Sequence, residues 1–151
     1  MNENFFVEIT QSVLSDKSAV EFVSTNENGA IVLFQGVTRK NNMGRTVLKL
    51  DYEAYTPMAE KKMLEILLEA KRKWNISKCY VSHRIGTLYI GDVSMILCIS
   101  SKHRKEAFEA SQYFIDKLKE IVPIWKKEYF TDGYEWIGPV SYTHLTLPTK
   151  A

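Results

Sequence analysis

Residues 57–100 read PMAEKKMLEILLEAKRKWNISKCYVSHRIGTLYIGDVSMILCIS, and the change of period inside them decides the fold. Pro57 stands where a first-turn proline belongs. Met63, Ile66, Leu67, Ala70 and Trp74 then recur at helical spacing, with Lys61, Glu65, Glu69 and Lys73 on the other side. After Trp74 the rhythm shortens. Residues 78–85 and 93–100 are short apolar runs separated by Gly86, Gly91 and Asp92, which predicts two strands joined through a turn.

The same alternation continues outward in both directions. Residues 5–9 predict a short strand. Ser15 and Asp16 predict the start of a short helix through Val20 and Phe22. GAIVLFQGV (29–37) is a β-branched apolar run of the kind that is buried as a strand. RKNNMGR (39–45) has one apolar residue, Met43, and predicts a mobile loop. Residues 47–55 alternate loosely enough for a half-exposed strand. A third helix is predicted over about 102–120, ended by Pro123, with a core stripe of Ala107, Ala110, Ser111, Phe114, Leu118 and Ile121. Residues 124–130 and 134–137 predict a hairpin about Thr131-Asp132-Gly133. The order β-α-β-β-α-β-β-α-β-β implies an α+β sandwich, with helices on one face of a mostly antiparallel sheet.

One domain over 1–139 accounts for this pattern. From Val140 the chain reads VSYTHLTLPTKA and abandons the earlier periodicity. It resembles translated adapter sequence joined to a truncated reading frame, so 140–151 is expected to be a non-native tail and His144 carries no functional weight.

Composition narrows the function. Hydrophobic residues make up 45% and charged residues 25%, a globular balance. The net charge of +2, from 20 basic and 18 acidic residues, argues against a general nucleic-acid coat. Cys79 and Cys98 lie in strand-like apolar contexts with no zinc spacing, so buried reduced thiols and a cytoplasmic location are expected. The N-terminus is too polar for a signal peptide, and no apolar run approaches membrane-span length. No nucleophile elbow, phosphate-binding loop or metal motif is present, so neither metal nor cofactor is expected.

Basic residues gather instead at element boundaries. Arg39 and Lys40 open a loop, His103 and Arg104 begin the third helix, and Lys119, Lys126 and Lys127 bracket its exit. A helix start offers unpaired N–H groups, and a guanidinium adds a fork suited to phosphate. Phe108, Ile115 and Lys119 share one helical stripe at the flank of the core face. Pro123 then turns the chain so that Lys126 can return toward Lys119. Taken singly, a lysine at a helix end complements the dipole and an arginine in a polar loop is solvated. Together they predict an anion-binding pocket with two lysines. His83-Arg84, a similar pair at a strand end, reads as structural. An RNA-binding sheet surface is a rival reading, although no aromatic-basic string of that type occurs. A scaffold with an exposed strand is a third.

The strings FQGVTRKNNMG (34–44), YEAYTPMAEKK (52–62), HRIGTLYIGD (83–92), SKHRKEAFEA (101–110) and LKEIVPIWKKE (118–128) resemble the large, catalytic subunit of molybdopterin synthase. They cover most of 30–137 in the family's order. The resemblance implies an α/β-hammerhead-type fold with a small β subdomain. It implies a sulfurtransferase that makes the molybdopterin dithiolene from cyclic pyranopterin monophosphate. Sulfur would arrive as the Gly-Gly thiocarboxylate of a small ubiquitin-like partner, within a heterotetramer built on a central homodimer. It places substrate binding on Val37, Thr38, Arg39, His103, Arg104, Lys127 and Glu128, and catalysis and substrate binding on Lys119 and Lys126.

If 140–151 is foreign, deleting it leaves activity and thermal stability unchanged. A fall in melting temperature beyond about 4 °C, roughly 1 kcal/mol for a small domain, would show that the segment packs.

Overall fold

A computed structural model of the chain describes residues 3–139; the tail expected over 140–151 lies outside the described residues. The chain runs β1 (Phe5–Thr10), α1 (Asp16–Val23), β2 (Ala30–Val37), β3 (Asn41–Asn42), β4 (Arg45–Ala54), α2 (Thr56–Lys73), β5 (Ile76–Arg84), β6 (Gly86–Tyr89), β7 (Val93–Ser101), α3 (Arg104–Ile121), β8 (Ile124–Phe130) and β9 (Gly133–Ile137). Two sheets result. The first has strand order β1-β5-β7-β2, antiparallel except for the parallel β1–β5 pair. The second joins β3, β4, β8 and β9, with β6 also paired to β4.

Strand alternation divides the first sheet's side chains between two layers. Cys79, Val81, Met95, Leu97 and Ile99 face one way and meet Met63, Leu67 and Ala70 of α2 and Ala107, Ala110 and Phe114 of α3. Tyr80, Ile96 and Cys98 face the other way and meet Ala19 and Val23 of α1. Two helices therefore share a face as expected, while α1 covers the opposite one. The α1 stripe reveals that the helix has a buried side, but not which side of the sheet receives it. Ser15 caps α1, its Oγ accepting from the Ser18 N–H at 3.1 Å.

The 39–45 segment is a tight hairpin rather than a mobile loop. Asn41 pairs with Thr46 and Asn42 with Arg45, and the turn between them is Met43-Gly44 with φ of 52° and 80°. Positive φ at both central residues matches the twist of a two-residue hairpin; glycine meets this without strain, whereas Met43 carries the cost of a side chain there. In β4 a register shift between Val47 and Lys49 displaces Leu48, which is exposed. That bulge is why the alternation of 47–55 reads loosely.

Phe114 is fully buried between α3 and the first sheet. Phe114→Ala should lower stability by about 3–5 kcal/mol in urea unfolding, whereas Phe108→Ala, at an exposed position of the same helix, should stay within about 0.5 kcal/mol.

Candidate functional site

The two sheets meet at the C-terminal end of α3, and a cavity of about 470 Å³ lies at that junction. Lys119 and Lys126 both line it. The route that brings them together is short. Val122 leaves the helix in extended conformation, and Pro123 follows. Ile124 then pairs with Ala54, so that Tyr52 faces Lys126 across the β4–β8 ladder. Lys119 is exposed and Lys126 partly so; both occupy the rim. Lys126 Nζ lies 3.6 Å from the buried Glu128 carboxylate, whose other oxygen accepts from Asn42 Nδ2 at 2.9 Å.

The remaining expected residues divide into three groups. Val37 lines the cavity and is half exposed. Thr38 is buried and fixed by its backbone, its N–H donating to Asp92 O at 2.9 Å and its carbonyl accepting from Gly91 N at 2.8 Å. Arg39 follows, exposed, two residues beyond this wall. His103 and Arg104 stand exposed at the start of α3, where His103 occupies the cap position without a capping side-chain hydrogen bond. At 1.5 Å of rise per residue, Arg104 and Lys119 are about 22 Å apart along a single helix. One chain therefore does not gather all the basic residues around one cavity.

Lys127 points away from Lys126, because successive strand residues alternate faces. Its Nζ lies over the Tyr134 ring at 3.9 Å and within 4.9 Å of the Tyr129 ring centre, an arrangement that holds the cation against aromatic faces.

His83, which reads as structural in the sequence, lies at the same cavity. It is 5% exposed and lines the cavity alongside the lysines. Its Nδ1 sits 2.9 Å from the Arg84 carbonyl, and the Tyr52 ring meets it edge-on at 5.0 Å. Burial pushes the imidazole pKa down to about 4; the hydrogen bond to Arg84 opposes this shift, and the charge of Lys126 adds to it. The sequence signal was available. His83 shares the strand face of Cys79 and Val81, so a polar ring falls on an otherwise apolar side.

The cysteines cannot supply a nucleophile here. Both are buried and unpaired, and burial pushes Cys98 up to about 11 and raises Cys79 as well. They point to opposite faces of the first sheet, and neither is among the residues that line the cavity. Among the described residues no cluster of His, Cys, Asp and Glu could hold a metal ion, and no helix is long and apolar enough to cross a membrane.

A family model described as MoaE protein matches residues 9–121. A Bacillus subtilis (strain 168) molybdopterin synthase catalytic subunit is 42% identical over 131 residues, covering 87% of this chain and 83% of the relative. Its Staphylococcus carnosus counterpart is 43% identical over 87% of each chain. The crystal structure of molybdopterin synthase from Staphylococcus aureus superposes with a TM-score of 0.84 at 41% identity, covering 91% of this chain and 98% of that one.

The low pKa of His83 has a consequence for stability. The unfolded chain takes up a proton on this histidine below about 6.5, the folded chain only near 4, so stability falls with pH across that window and the histidine has no effect above it. In urea unfolding, the stability of the parent relative to His83→Gln should fall by up to about 3 kcal/mol as pH falls from 6.5 to 4. A constant difference between the two proteins would show that the imidazole does not titrate in this way.

Proposed function

The chain belongs to the MoaE family, whose relatives are molybdopterin synthase catalytic subunits, and on that premise we propose that it transfers sulfur to cyclic pyranopterin monophosphate to form the molybdopterin dithiolene. The observation that carries the reading is the cavity in which two lysines converge without a thiol. Such a site can bind an anion and move protons, but its sulfur must come from outside. The C-terminal thiocarboxylate of a small ubiquitin-like partner with a Gly-Gly tail supplies that chemistry.

Lys119, exposed on the rim, acts as general acid–base while the thiocarboxylate sulfur attacks and a C–O bond of the cyclic phosphate breaks to open the ring. Water then cleaves the resulting thioester, releasing the partner's C-terminal carboxylate and leaving the sulfur on the substrate, and a second thiocarboxylate repeats the transfer. Lys126, held by Glu128, stabilises negative charge that develops during transfer. Arg39, with Val37 and Thr38 beside it, binds the phosphate at the cavity edge. Lys127 contributes cationic field from the opposite strand face.

His103 and Arg104 need a different route to the site. A second copy of the chain can present its own α3 start, which makes the active form a homodimer, and one small subunit per copy completes a heterotetramer. Charge-assisted hydrogen bonds to the phosphate contribute roughly 1.5–3 kcal/mol each. The buried reduced cysteines suit the reducing cytoplasm in which such an enzyme works.

Mixing the chain with thiocarboxylated partner and cyclic pyranopterin monophosphate should yield molybdopterin. An equal rate from the chain with free sulfide alone would overturn the two-subunit mechanism, and a monomer by light scattering at micromolar concentration would overturn the dimer. Lys119→Ala should cut turnover at least ~10²-fold. Lys119→Arg should also fail, because a guanidinium stays protonated at working pH. Lys117→Ala, two residues back, is the control and should match the parent. Near-parental turnover by Lys119→Arg would reduce this lysine to a fixed charge.

A further inference from the structure

The cavity has two chemically different ends. The rim carries the ammonium groups of Lys119 and Lys126, whereas the inner wall carries His83, Ser94 and Tyr52, all uncharged. An anionic group belongs at the first end. The second suits a neutral ring system that can hydrogen-bond.

Within that inner wall the Ser94 hydroxyl is already engaged, its Oγ donating to the Gly36 carbonyl at 3.2 Å. His83 is placed differently. Its Nδ1 faces the Arg84 carbonyl at 2.9 Å, so the neutral ring carries its proton on that nitrogen and presents Nε2 as an acceptor. The edge-on Tyr52 ring fixes the imidazole plane. Burial keeps the ring neutral at working pH, and the nearby Lys126 charge acts in the same direction.

We propose that His83 is a substrate-binding residue of this cavity, its Nε2 accepting a hydrogen bond from a ring N–H of the bound heterocycle while the lysines hold the anionic group. The assignment rests on the reading of the cavity given under the proposed function and adds to it an orientation. The heterocycle lies inward against His83, and the phosphate faces the rim. A neutral acceptor discriminates by donor placement. A ring lacking the N–H leaves Nε2 unpaired in a buried site, and such a mismatch is penalised more heavily than a missing methylene.

Three measurements test this on the full chain with its small partner subunit. First, calorimetric titration with cyclic pyranopterin monophosphate should show His83→Asn binding at least ~10-fold more weakly than the parent, since asparagine retains a donor toward Arg84 but has no atom at the Nε2 position. His83→Gln, whose amide oxygen can reach that position, should recover to within about threefold of the parent. Second, titration with inorganic phosphate alone should give the same affinity in all three proteins. Third, ¹⁵N-imidazole NMR of the parent should show the Nε2 resonance moving upfield as the pterin is added, with Nδ1 little changed.

Parental affinity in His83→Asn, or a motionless Nε2 signal while the parent binds, overturns the assignment. Parallel loss of pterin and phosphate affinity in both variants also overturns it, because that outcome describes general damage to the cavity. A parent that fails to bind the pterin phosphate overturns the proposed function itself, and the assignment falls with it. The NMR result does not depend on the variants folding.

Discussion

Pro123 ends α3, and the position of that ending governs the rest of the site. Proline has no N–H for a further helical turn, and it drives the preceding residue out of helical conformation. Val122 accordingly has φ −81° and ψ 127°, and it is buried along with Pro123. The freed Pro123 carbonyl accepts from the Tyr55 N–H at 3.2 Å, at the point where β4 gives way to α2. The exit of α3 is thereby joined to the exit of β4, and β8 pairs with β4 in a register unbroken from Lys49 to Ala54. That register places Tyr52 across from Lys126 and closes the second sheet against the first. Gly138 then passes so close to the Trp125 ring that a Cβ would strike it, which seats the last described residues against the cavity.

Much of the architecture was legible because amphipathic periodicity is a local property. The α2 and α3 stripes recorded most of the side chains that are buried: Met63, Ile66, Leu67 and Ala70 of α2 and Ala107, Ala110, Ser111 and Phe114 of α3, with Trp74, Leu118 and Ile121 only partly covered. What stayed hidden depended on contacts between distant elements. β5 has an almost continuous buried pattern because helices cover both faces of its sheet, and no feature of the α1 stripe distinguishes those faces. The bulge at Leu48 and the turn at Met43 are likewise resolved by pairing partners rather than by propensity. A polar string such as RKNNMGR carries the composition of a loop whether or not its ends find a partner strand.

The site shows the same division at shorter range. Lys119 and Lys126 could be related from sequence because one proline turn lies between them. His103 and Arg104 could not be placed against Lys119 by residue type alone. They share a helix with it, and a straight helix separates its ends as surely as it presents its faces. Strand alternation did carry information about Lys127 and His83. It sets Lys127 opposite Lys126 and sets His83 among apolar neighbours, where a titratable ring needs an explanation.

Glu128 connects these levels. A carboxylate 4% exposed is costly unless both oxygens are satisfied, and here one meets Lys126 while the other accepts from Asn42. Asn42 belongs to the small hairpin that begins just after Arg39. The buried charge therefore ties two segments that are distant in sequence, the β3–β4 hairpin and the strand carrying Lys126. Lys126 is restrained from within by a partner of opposite charge, whereas Lys119 stands on the rim with its side chain exposed. The two lysines thus differ in freedom as well as in position. A tethered ammonium suits a fixed electrostatic role, and a mobile one suits a role that requires approach to the reacting atoms. The division of labour assigned to them follows from that asymmetry in their surroundings, since the side chains themselves are identical.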